Sequence, residues 1–393
     1  MPASAPILIA GGGIGGLALA LALARTGRRS LVLEQRDTLA EEGAGIQLGP
    51  NGVRVLRRLG VADALQPMVG EPEALHVHDG RTGRVLAVLP LGRWISERHG
   101  APYWTVHRRD LHDALLRTAS AEPSITLHTG FSVIGAIQSA DAVDVASEGG
   151  DRAAGAGLVG ADGLWSRVRH LVGPARAPQF VGSTATRTVI PAAMAGRLAE
   201  RGVGLWLGAG ANIAHYPVRG GAEIAAVVIA AEAWQGRQWN AAADRTALLE
   251  RIGDFHASLV DVLTSAPSWS KRALYRLAPL PGWSAGRITL MGDAAHPMLP
   301  HLAQGGVLAL EDAVVLADCL AAHPGDEPRA FRAYEARRRA RTARVQAASR
   351  RNGRIYHLGA PFSWVRNAAL RILPGERLMA GFDWLYGWRA DAT

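Results

Sequence analysis

Residues 7–34 carry the sequence ILIAGGGIGGLALALALARTGRRSLVLE. The apolar run Ile7–Ala10 predicts a short buried strand, and the Ala/Leu-rich run Leu17–Arg25 predicts a helix that stops near Gly27. A second apolar run, Ser30–Leu33, predicts another strand. A strand, a glycine turn, a helix and a second strand in this order indicate a βαβ unit in a parallel sheet.

The glycines in this unit have the spacing G-x-G-x-x-G. Gly11 permits the tight turn, Gly13 lets the backbone approach a pyrophosphate, and Gly16 lets the helix pack closely on the strand. The free N–H groups at the helix start favour a phosphate, and a carboxylate at the end of the second strand accepts hydrogen bonds from ribose hydroxyls. The segment therefore predicts a dinucleotide site, without distinguishing NAD from FAD, at Gly11, Gly13, Ile14, Gly15, Gly16 and Glu34.

Composition limits the other functions to be considered. The 393 residues are 48% hydrophobic, which is enough for two domains with buried cores. One cysteine, Cys319, excludes an intramolecular disulfide and a cysteine-ligated metal cluster, and no metal is expected. The net charge is +9, but the basic residues are dispersed, so nucleic acid is not an expected partner. Without an apolar run of ~20 residues or a signal peptide, we expect a cytoplasmic protein with no stable membrane association.

Two further motifs lie along the chain. Gly160-Ala161-Asp162-Gly163 follows an apolar pair and precedes Ser166-Arg167-Val168-Arg169. Gly292-Asp293-Ala294-Ala295-His296-Pro297 follows the predicted strand Ile288–Met291, and Gln304-Gly305-Gly306 then opens a predicted helix, Val307–Cys319. The N-terminus of that helix would favour the negative charge of a reduced flavin, and its glycines would let the backbone approach the ring.

Together, the glycine fingerprint, the Asp-Gly motif and the Gly-Asp motif resemble those of the single-component FAD-dependent aromatic hydroxylases, in particular the salicylate and 3-hydroxybenzoate hydroxylase group. The segments 43–51 and 107–111 also look like family segments. The resemblance spans most of the chain. It implies a mixed α/β fold in which a Rossmann-like FAD-binding domain carries an inserted antiparallel-sheet substrate domain and is followed by C-terminal helices.

The resemblance assigns expected roles to individual positions. Glu34 and Arg36 would hold the adenosine ribose of tightly bound FAD, Arg108 would lie near the pyrophosphate, and Gln47 and Asp293 would lie beside the ribityl chain. Asp162 would serve both FAD and a transient NADH or NADPH, since no second glycine fingerprint is present. The remaining expected cofactor contacts are Gly305 and Gly306.

The domains are expected to be discontinuous. The FAD-binding domain would comprise residues 1–74, 104–178 and 286–322, and β-rich runs predict one substrate sheet from residues 75–103 and 179–285. Residues 323–393 would form a C-terminal helical segment. Its helix is expected to begin near Arg329 and to end near Ser349. The remaining tail, with its tryptophans, is expected to pack on the body, and the basic run Arg337–Arg344 would be a solvated helix face or the contact of a homodimer.

The substrate site is expected around Asn212-Ile213-Ala214-His215-Tyr216-Pro217. Parts of the family place a histidine that assists phenol deprotonation four residues before the tyrosine, and this chain has Asn212 there. His215 is the nearest imidazole, although strand alternation would point it away from Tyr216. The candidates for catalysis are His215, Tyr216, His301 and Gln304, and those for substrate binding are Asn212, Tyr216 and Pro297, with Arg187 or Arg219 holding a carboxylate.

The resemblance implies a monooxygenase that hydroxylates a phenol or small aromatic acid with O₂ and NAD(P)H through a flavin C4a-hydroperoxide. A base with a pKa near neutral would help to form the more nucleophilic phenolate. Two alternatives stay open: an FAD-dependent reductase of the same fold without oxygen insertion, and a flavin-fold binding protein without turnover.

Overall fold

The computed structural model describes residues 5–39, 45–174, 176–196, 198, 202–234 and 240–390, so Gly43 and Ala44 of one family-like segment lie outside the described residues. The strands are β1 (Ile7–Ala10), β2 (Ser30–Leu33), β3 (Gly45–Leu48), β4 (Ala74–Asp79), β5 (Val85–Pro90), β6 (Trp104–His107), β7 (Ile125–His128), β8 (Val133–Gln138), β9 (Val143–Ser147), β10 (Arg152–Gly155), β11 (Gly157–Gly160), β12 (Gln179–Pro191), β13 (Val203–Gly208), β14 (Ala211–Val218), β15 (Glu223–Ala231), β16 (Asn240–Ala242), β17 (Ser270–Arg276), β18 (Ser284–Ala285) and β19 (Ile288–Leu290).

The α-helices lie between and after these strands. They are α1 (Ile14–Arg25), α2 (Pro50–Leu59), α3 (Ala62–Leu65), α4 (Gly92–His99), α5 (Arg108–Ser120), α6 (Arg169–Val172), α7 (Ala192–Ala195), α8 (Arg245–Ile252), α9 (Ala257–Thr264), α10 (Gly305–Ala322), α11 (Glu327–Tyr356), α12 (Phe362–Ile372), α13 (Gly375–Ala380) and α14 (Asp383–Tyr386). Among the described residues, none of these helices is long and apolar enough to cross a membrane.

A six-stranded sheet forms the first layer, in the order β18-β19-β11-β1-β2-β7. Its strands run parallel except for the antiparallel edge pair β18–β19. The central strand β1 is buried along its whole length, which explains its uninterrupted apolar sequence. The helix α1 starts at Ile14, earlier than predicted, and Gly27 adopts a positive φ of 75° just beyond its end. The predicted Rossmann-like arrangement is therefore present.

An eight-stranded sheet forms the second layer, in the order β16-β17-β12-β15-β14-β13-β4-β5. The sequence predicted an antiparallel sheet, and this is wrong at one place, because β13 runs parallel to β4. The hairpin β4–β5 comes from a separate stretch of chain, so no short connection dictates its direction relative to β13. The hairpin therefore docks on the free edge of β13 in the parallel orientation, with Val203 opposite Leu75.

The basic run on α11 is a solvated helix face only in part, because Arg339 and Arg344 are exposed whereas Arg338 is buried. The side chain of Arg338 is only 1% exposed and makes ion pairs with Glu311 and Asp312 of α10. Arg341 also binds Glu311, and Arg339 donates to the backbone carbonyl groups of Leu280 and Pro281. Three of the five arginines in this run therefore join α11 to the rest of the protein, and two of them, Arg338 and Arg341, do so through buried carboxylates of α10.

The C-terminal segment departs from the sequence prediction at both ends of its long helix. The helix α11 begins at Glu327 and includes Pro328, which is tolerated in the first turn because no intrahelical N–H is needed there. It continues to Tyr356 instead of stopping near Ser349. Trp364 on α12 is 68% exposed, so this tryptophan does not pack on the body as expected.

Candidate active site

A cavity of about 1120 Å³ is lined by residues of both large sheets. Ligand pockets in proteins are usually about 300–1,000 Å³ in volume. The cavity therefore has room for a dinucleotide-sized cofactor and an additional ring.

The predicted glycine turn forms one wall of this cavity. Gly11, Gly13 and Gly15 line it together with Ile14. Gly11 has a φ of 110°, and a Cβ atom there would lie 2.5 Å from the carbonyl oxygen of Ala161. A Cβ atom on Gly16 would lie 1.9 Å from the carbonyl oxygen of Gly11, so this glycine lets α1 pack on β1 without facing the cavity itself.

Glu34 is fixed beside that turn at the end of β2. One carboxylate oxygen accepts a hydrogen bond from the Gly12 N–H at 2.8 Å. The other accepts from the backbone N–H and the Nε of Arg36, both at 3.0 Å. Both side chains line the cavity, where the carboxylate can accept hydrogen bonds from ribose hydroxyls.

Two carboxyl groups face the cavity further along. The Asp162 Oδ2 atom accepts from the backbone N–H groups of Arg167 and Val168, at 2.8 and 3.1 Å. Its Oδ1 atom is buried and has no hydrogen-bond partner among the described residues. Asp293 lies on the turn after β19, and burial raises the pKa of both carboxyl groups. The buried Oδ1 atom of Asp162 calls for a bound donor, such as a ribose or ribityl hydroxyl group.

The turn that carries Asp293 is held from behind by α10. The Asp312 Oδ2 atom accepts from the Gly292 N–H at 2.9 Å and contacts the Nε2 of His296 at 2.6 Å. Burial alone would raise the pKa of Asp312, but the adjacent His296 and Arg338 lower it to about 2. The Asp312 carboxylate is therefore ionised at neutral pH and keeps the turn in place.

The glycine wall, the ribose-facing carboxylate and the unpaired Asp162 oxygen fit FAD. Glu34 and Arg36 would hold its adenosine ribose, and Arg108, which lines the same cavity at the start of α5, would lie near its pyrophosphate. Gly305 and Gly306 bring the N-terminus of α10 to the cavity wall, where the helix dipole favours negative charge.

The eight-stranded sheet supplies the opposite wall through alternate residues. On β14, Asn212, Ala214 and Tyr216 line the cavity. Strand register places Ala214 in one row across the sheet with four other lining residues: Arg187, Val227, Leu205 and Val77. This row gives an apolar surface that ends in one guanidinium group.

Polar side chains cluster at the margin of this surface. The O–H of Tyr103 donates to the Oε1 of Gln47 at 2.6 Å, and both line the cavity. His301 lines it from the loop before α10, and burial together with the neighbouring His357 lowers the pKa of His301 to about 4. Burial raises the pKa of Tyr216 to about 12. His301 and Tyr216 are therefore both neutral at physiological pH.

Three candidates from the sequence lie outside the cavity, which corrects their assignment to catalysis or substrate binding. His215 points to the other face of the sheet, against Trp206, because neighbouring strand residues alternate. The Gln304 side chain is buried and accepts a hydrogen bond from the Asn51 amide at 2.9 Å. The carbonyl oxygen of Pro297 accepts from Gln346 at 2.9 Å, away from the cavity.

The structure adds cavity residues that no motif indicated. Arg272 of β17 lines the cavity near Arg187, and a group of side chains from the C-terminal segment closes its far end. Their sequence positions carried no periodic or motif signal, because they meet the cavity only through the packing of α11–α14 on the sheet. These side chains are Asn352, Ile355, Tyr356, Leu370, Leu378, Met379, Phe382 and Tyr386.

The fold and the site define a flavoprotein of the type that binds FAD against a substrate sheet. Residues 4–349 match the family described as FAD binding domain, so the chain belongs to that family. The prediction of FAD as the cofactor is confirmed by this match.

Similar proteins narrow the class further. The chain is 36% identical to a 3-hydroxybenzoate 6-hydroxylase of Polaromonas naphthalenivorans, covering 98% of this chain and 97% of the relative. It is also 36% identical to a 3-amino-4-hydroxybenzoate 2-monooxygenase of Streptomyces platensis, with coverage of 98% and 96%. The Klebsiella pneumoniae HpxO structure with FAD and uric acid superimposes with a TM-score of 0.85 at 26% identity, covering 97% and 96%. These matches confirm the predicted fold class and identify the chain as an FAD-dependent aromatic monooxygenase.

Proposed function

We propose that this enzyme hydroxylates a small aromatic acid that carries a ring hydroxyl group, with O₂ and NADH or NADPH as co-substrates. The observation that carries the proposal is the guanidinium group at the end of an apolar cavity wall. The two curated relatives described above act, by their names, on hydroxybenzoates, which have the same combination of ring, carboxylate and hydroxyl. When bound, FAD would supply the oxygen-activating chemistry.

Arg187 is the carboxylate anchor in this proposal. Burial, together with the positive charges of Arg272 and Arg108, lowers the pKa of Arg187 to about 10, so the group remains protonated at neutral pH. It makes no ion pair with any described residue, whereas Arg219 is paired with Asp110 and Glu223 outside the cavity. A buried cation needs an anionic partner, and a guanidinium group binds a carboxylate through two hydrogen bonds.

The ring would lie on the apolar row between Arg187 and the Asn212 end of the sheet. Strand register separates the two residues by two strands and two positions, which is roughly 12 Å between their Cα atoms at usual sheet spacings. An extended arginine and a benzoate ring span this distance together. The hydroxyl group of the substrate would then reach Asn212 while the ring packs against Ala214 and Val227.

The remaining side chains exclude water and orient the ring. Tyr216 packs against the backbone at Gly45, where a Cβ atom would lie 2.3 Å from the tyrosine ring. Tyr103 fixes the amide of Gln47, which leaves the Gln47 NH₂ group for the cofactor or the substrate. Leu205 and Val77 complete an apolar floor that keeps the reacting ring away from solvent.

The test uses purified FAD-loaded enzyme and a panel of monohydroxybenzoates. We expect at least one of them to accelerate NADH or NADPH oxidation and to give a dihydroxylated product that contains ¹⁸O from ¹⁸O₂. Product formed under anaerobic conditions would instead support a reductase. The absence of any stimulated oxidation across the panel, with both nicotinamides, would refute the proposal.

The anchor is tested with Arg187→Met, compared with Arg219→Met. Loss of a charge-assisted hydrogen-bonded pair should weaken hydroxybenzoate binding roughly 10- to 100-fold in Arg187→Met. Binding of a phenol without a carboxylate should change little in this variant. Arg219→Met should bind both compounds as the wild type does, and the opposite ranking of the two variants would move the anchor to Arg219.

A further inference from the structure

An amide and an imidazole from distant parts of the chain meet at the margin of the cavity. The Nε2 of His357 lies 2.8 Å from the Oδ1 of Asn212, although 145 positions separate the two residues. Asn212 is only 2% exposed and lines the cavity, whereas His357 follows directly after α11 and lies behind the amide. Arg366 fixes this turn, because its guanidinium group donates to the carbonyl groups of Ile355 and Tyr356 at 3.0 and 2.9 Å.

This contact determines the orientation of both groups. An amide oxygen can only accept a hydrogen bond, so the Nε2 of His357 must carry the proton. Burial and the positive charge of Arg366 lower the pKa of His357, so its ring is neutral at physiological pH and has its single proton on Nε2. The NH₂ group of Asn212 then points away from His357, and it has no hydrogen-bond partner among the described residues.

Two unpaired N–H donors in a cavity wall favour a particular form of ligand. A phenolate oxygen accepts a hydrogen bond from one of these N–H groups and gains stability from it, whereas a neutral phenol carries its own donor. Donation to the charged form of a group lowers its pKa. The nearby imidazole of His301 cannot provide a positive charge, because the pKa of His301 is about 4.

We propose that His357 is a positioning residue that holds the Asn212 amide with its NH₂ group toward the cavity, where one N–H donates to the ring oxygen of the substrate as a phenolate. The inference rests on the proposed function, since it requires a hydroxylated aromatic ligand. The phenol proton leaves to solvent when the ligand binds, and no side chain has to retain it. Asn212 thus selects the ionised ring by donation and does not act as a base.

Other titratable and charged side chains at this cavity also influence the ionisation of a bound phenol. They are the same in the wild type and in the variants described below. Four tyrosines stay neutral, because burial raises the pKa of each of them well above neutrality. The titratable and charged groups are His301 on the loop before α10, Tyr356 on α11, Tyr386 on α14, Tyr103 before β6, Tyr216 on β14, Arg187 on β12, Arg272 on β17, and Arg366 with its neighbour Asp79 beside His357.

The experiment titrates 3-hydroxybenzoate bound to the oxidised, FAD-loaded enzyme without nicotinamide, so that no turnover occurs. Phenolate absorbance between pH 6 and pH 10 reports the pKa of the bound hydroxyl group. We expect this pKa to lie below that of the free ligand in the wild type. In His357→Phe, which keeps a ring but lacks a donor, the amide is free to rotate, and phenolate affinity should fall roughly tenfold or more.

Further variants separate positioning from a structural effect. Affinity for benzoate, which has no hydroxyl group, should be unchanged in His357→Phe, and His357→Gln should restore phenolate affinity because its amide can donate. Asn212→Asp, which offers acceptors in place of donors, should bind the neutral phenol in preference to the phenolate. His170→Phe, an exposed histidine on α6, is the matched control and should behave as the wild type.

The outcomes distinguish the inference from the proposed function. If wild-type enzyme binds no hydroxybenzoate, the proposed function fails and the inference fails with it. If the wild type binds it but His357→Phe leaves the bound pKa unchanged, or lowers benzoate and phenolate affinity equally, only the inference is refuted. Loss of phenolate preference in His357→Gln would also refute the hydrogen-bonding role.

Discussion

Replacing Arg338 with methionine should both destabilise the protein and weaken cofactor binding. The guanidinium group is fully buried, with its Nε 2.6 Å from the Oδ1 of Asp312 and its Nη2 2.8 Å from the Oε2 of Glu311. Methionine fills much of the same space without the charge. Glu311 keeps a second cation in Arg341, at 2.6 Å, whereas Asp312 loses Arg338 and keeps its contact with the Nε2 of His296, at 2.6 Å.

The magnitude follows from the burial of that carboxylate. Removing one partner of a buried ion pair costs about 3–5 kcal/mol, because the remaining charge is left without compensation. The retained Arg341–Glu311 pair and the retained contact of His296 with Asp312 place our expectation near the lower end, at about 3 kcal/mol. Without Arg338, the pKa of Asp312 should rise, and its hold on the Gly292 N–H should weaken. The turn that carries Asp293 would then loosen, and FAD affinity should fall about tenfold, which corresponds to about 1.4 kcal/mol.

Urea unfolding at a fixed FAD concentration measures the first effect, and quenching of flavin fluorescence on binding to apoprotein measures the second. Both samples need the same FAD concentration, because bound cofactor adds to the apparent stability. Arg332→Met is the control, since Arg332 lies exposed on the same helix. A loss of less than about 1 kcal/mol in Arg338→Met, with FAD affinity unchanged, would refute the view that this ion network supports the cofactor turn.

Three other perturbations have defined outcomes. Glu34→Gln removes the charged acceptor beside the glycine turn and should raise the FAD dissociation constant about tenfold in the same fluorescence assay. An unchanged dissociation constant would contradict the proposal that Glu34 binds the adenosine ribose. Gly353→Ala places a Cβ atom 2.6 Å from the His301 ring and should push it toward the cavity, so hydroxybenzoate binding should weaken while FAD binding is retained. The pKa of His301 is about 4 in the folded protein and about 6.5 unfolded, so the stability it contributes is complete above pH 6.5 and is lost as the pH falls toward 4. Urea unfolding at pH 7.5 and pH 5 should therefore show a smaller acid loss in His301→Phe than in the wild type, and an equal loss would contradict this.

The cofactor side of the cavity could be predicted from sequence because its constraints are local. The strand, the glycine turn and the helix of residues 7–25 are consecutive in sequence. A side chain at Gly16 would clash with the backbone of Gly11, so the local backbone itself requires glycine there. Glu34 follows β2 directly, and strand β1 lies next to β2 in the sheet. When adjacent residues determine a geometry, a short motif carries nearly all of the necessary information.

Strand alternation is a local rule of the same kind, and it predicted correctly that His215 and Tyr216 would face opposite sides. The rule also places Asn212 on the side of Tyr216, four positions away. Strand alternation does not, however, predict which other parts of the chain pack against the cavity-facing side of β14. His357 reaches Asn212 only because α11 continues one turn beyond Asn352 and then ends, and nothing in the sequence of that helix marks its last turn as part of a binding site.

The burial of Arg338 within the basic run of α11 cannot be predicted from sequence, for a related physical reason. Closely spaced arginines on a helix are normally solvated, since burying even one such charge is costly without a counterion. The counterions here, Glu311 and Asp312, lie on α10 within an otherwise apolar helix, where a sequence pattern alone gives them no partner. Each half of the network is unfavourable by itself, and only the packing of the two helices makes both acceptable. That interdependence is why removal of Arg338 should affect the flavin turn, whereas removal of an arginine from the exposed face of the same helix should not.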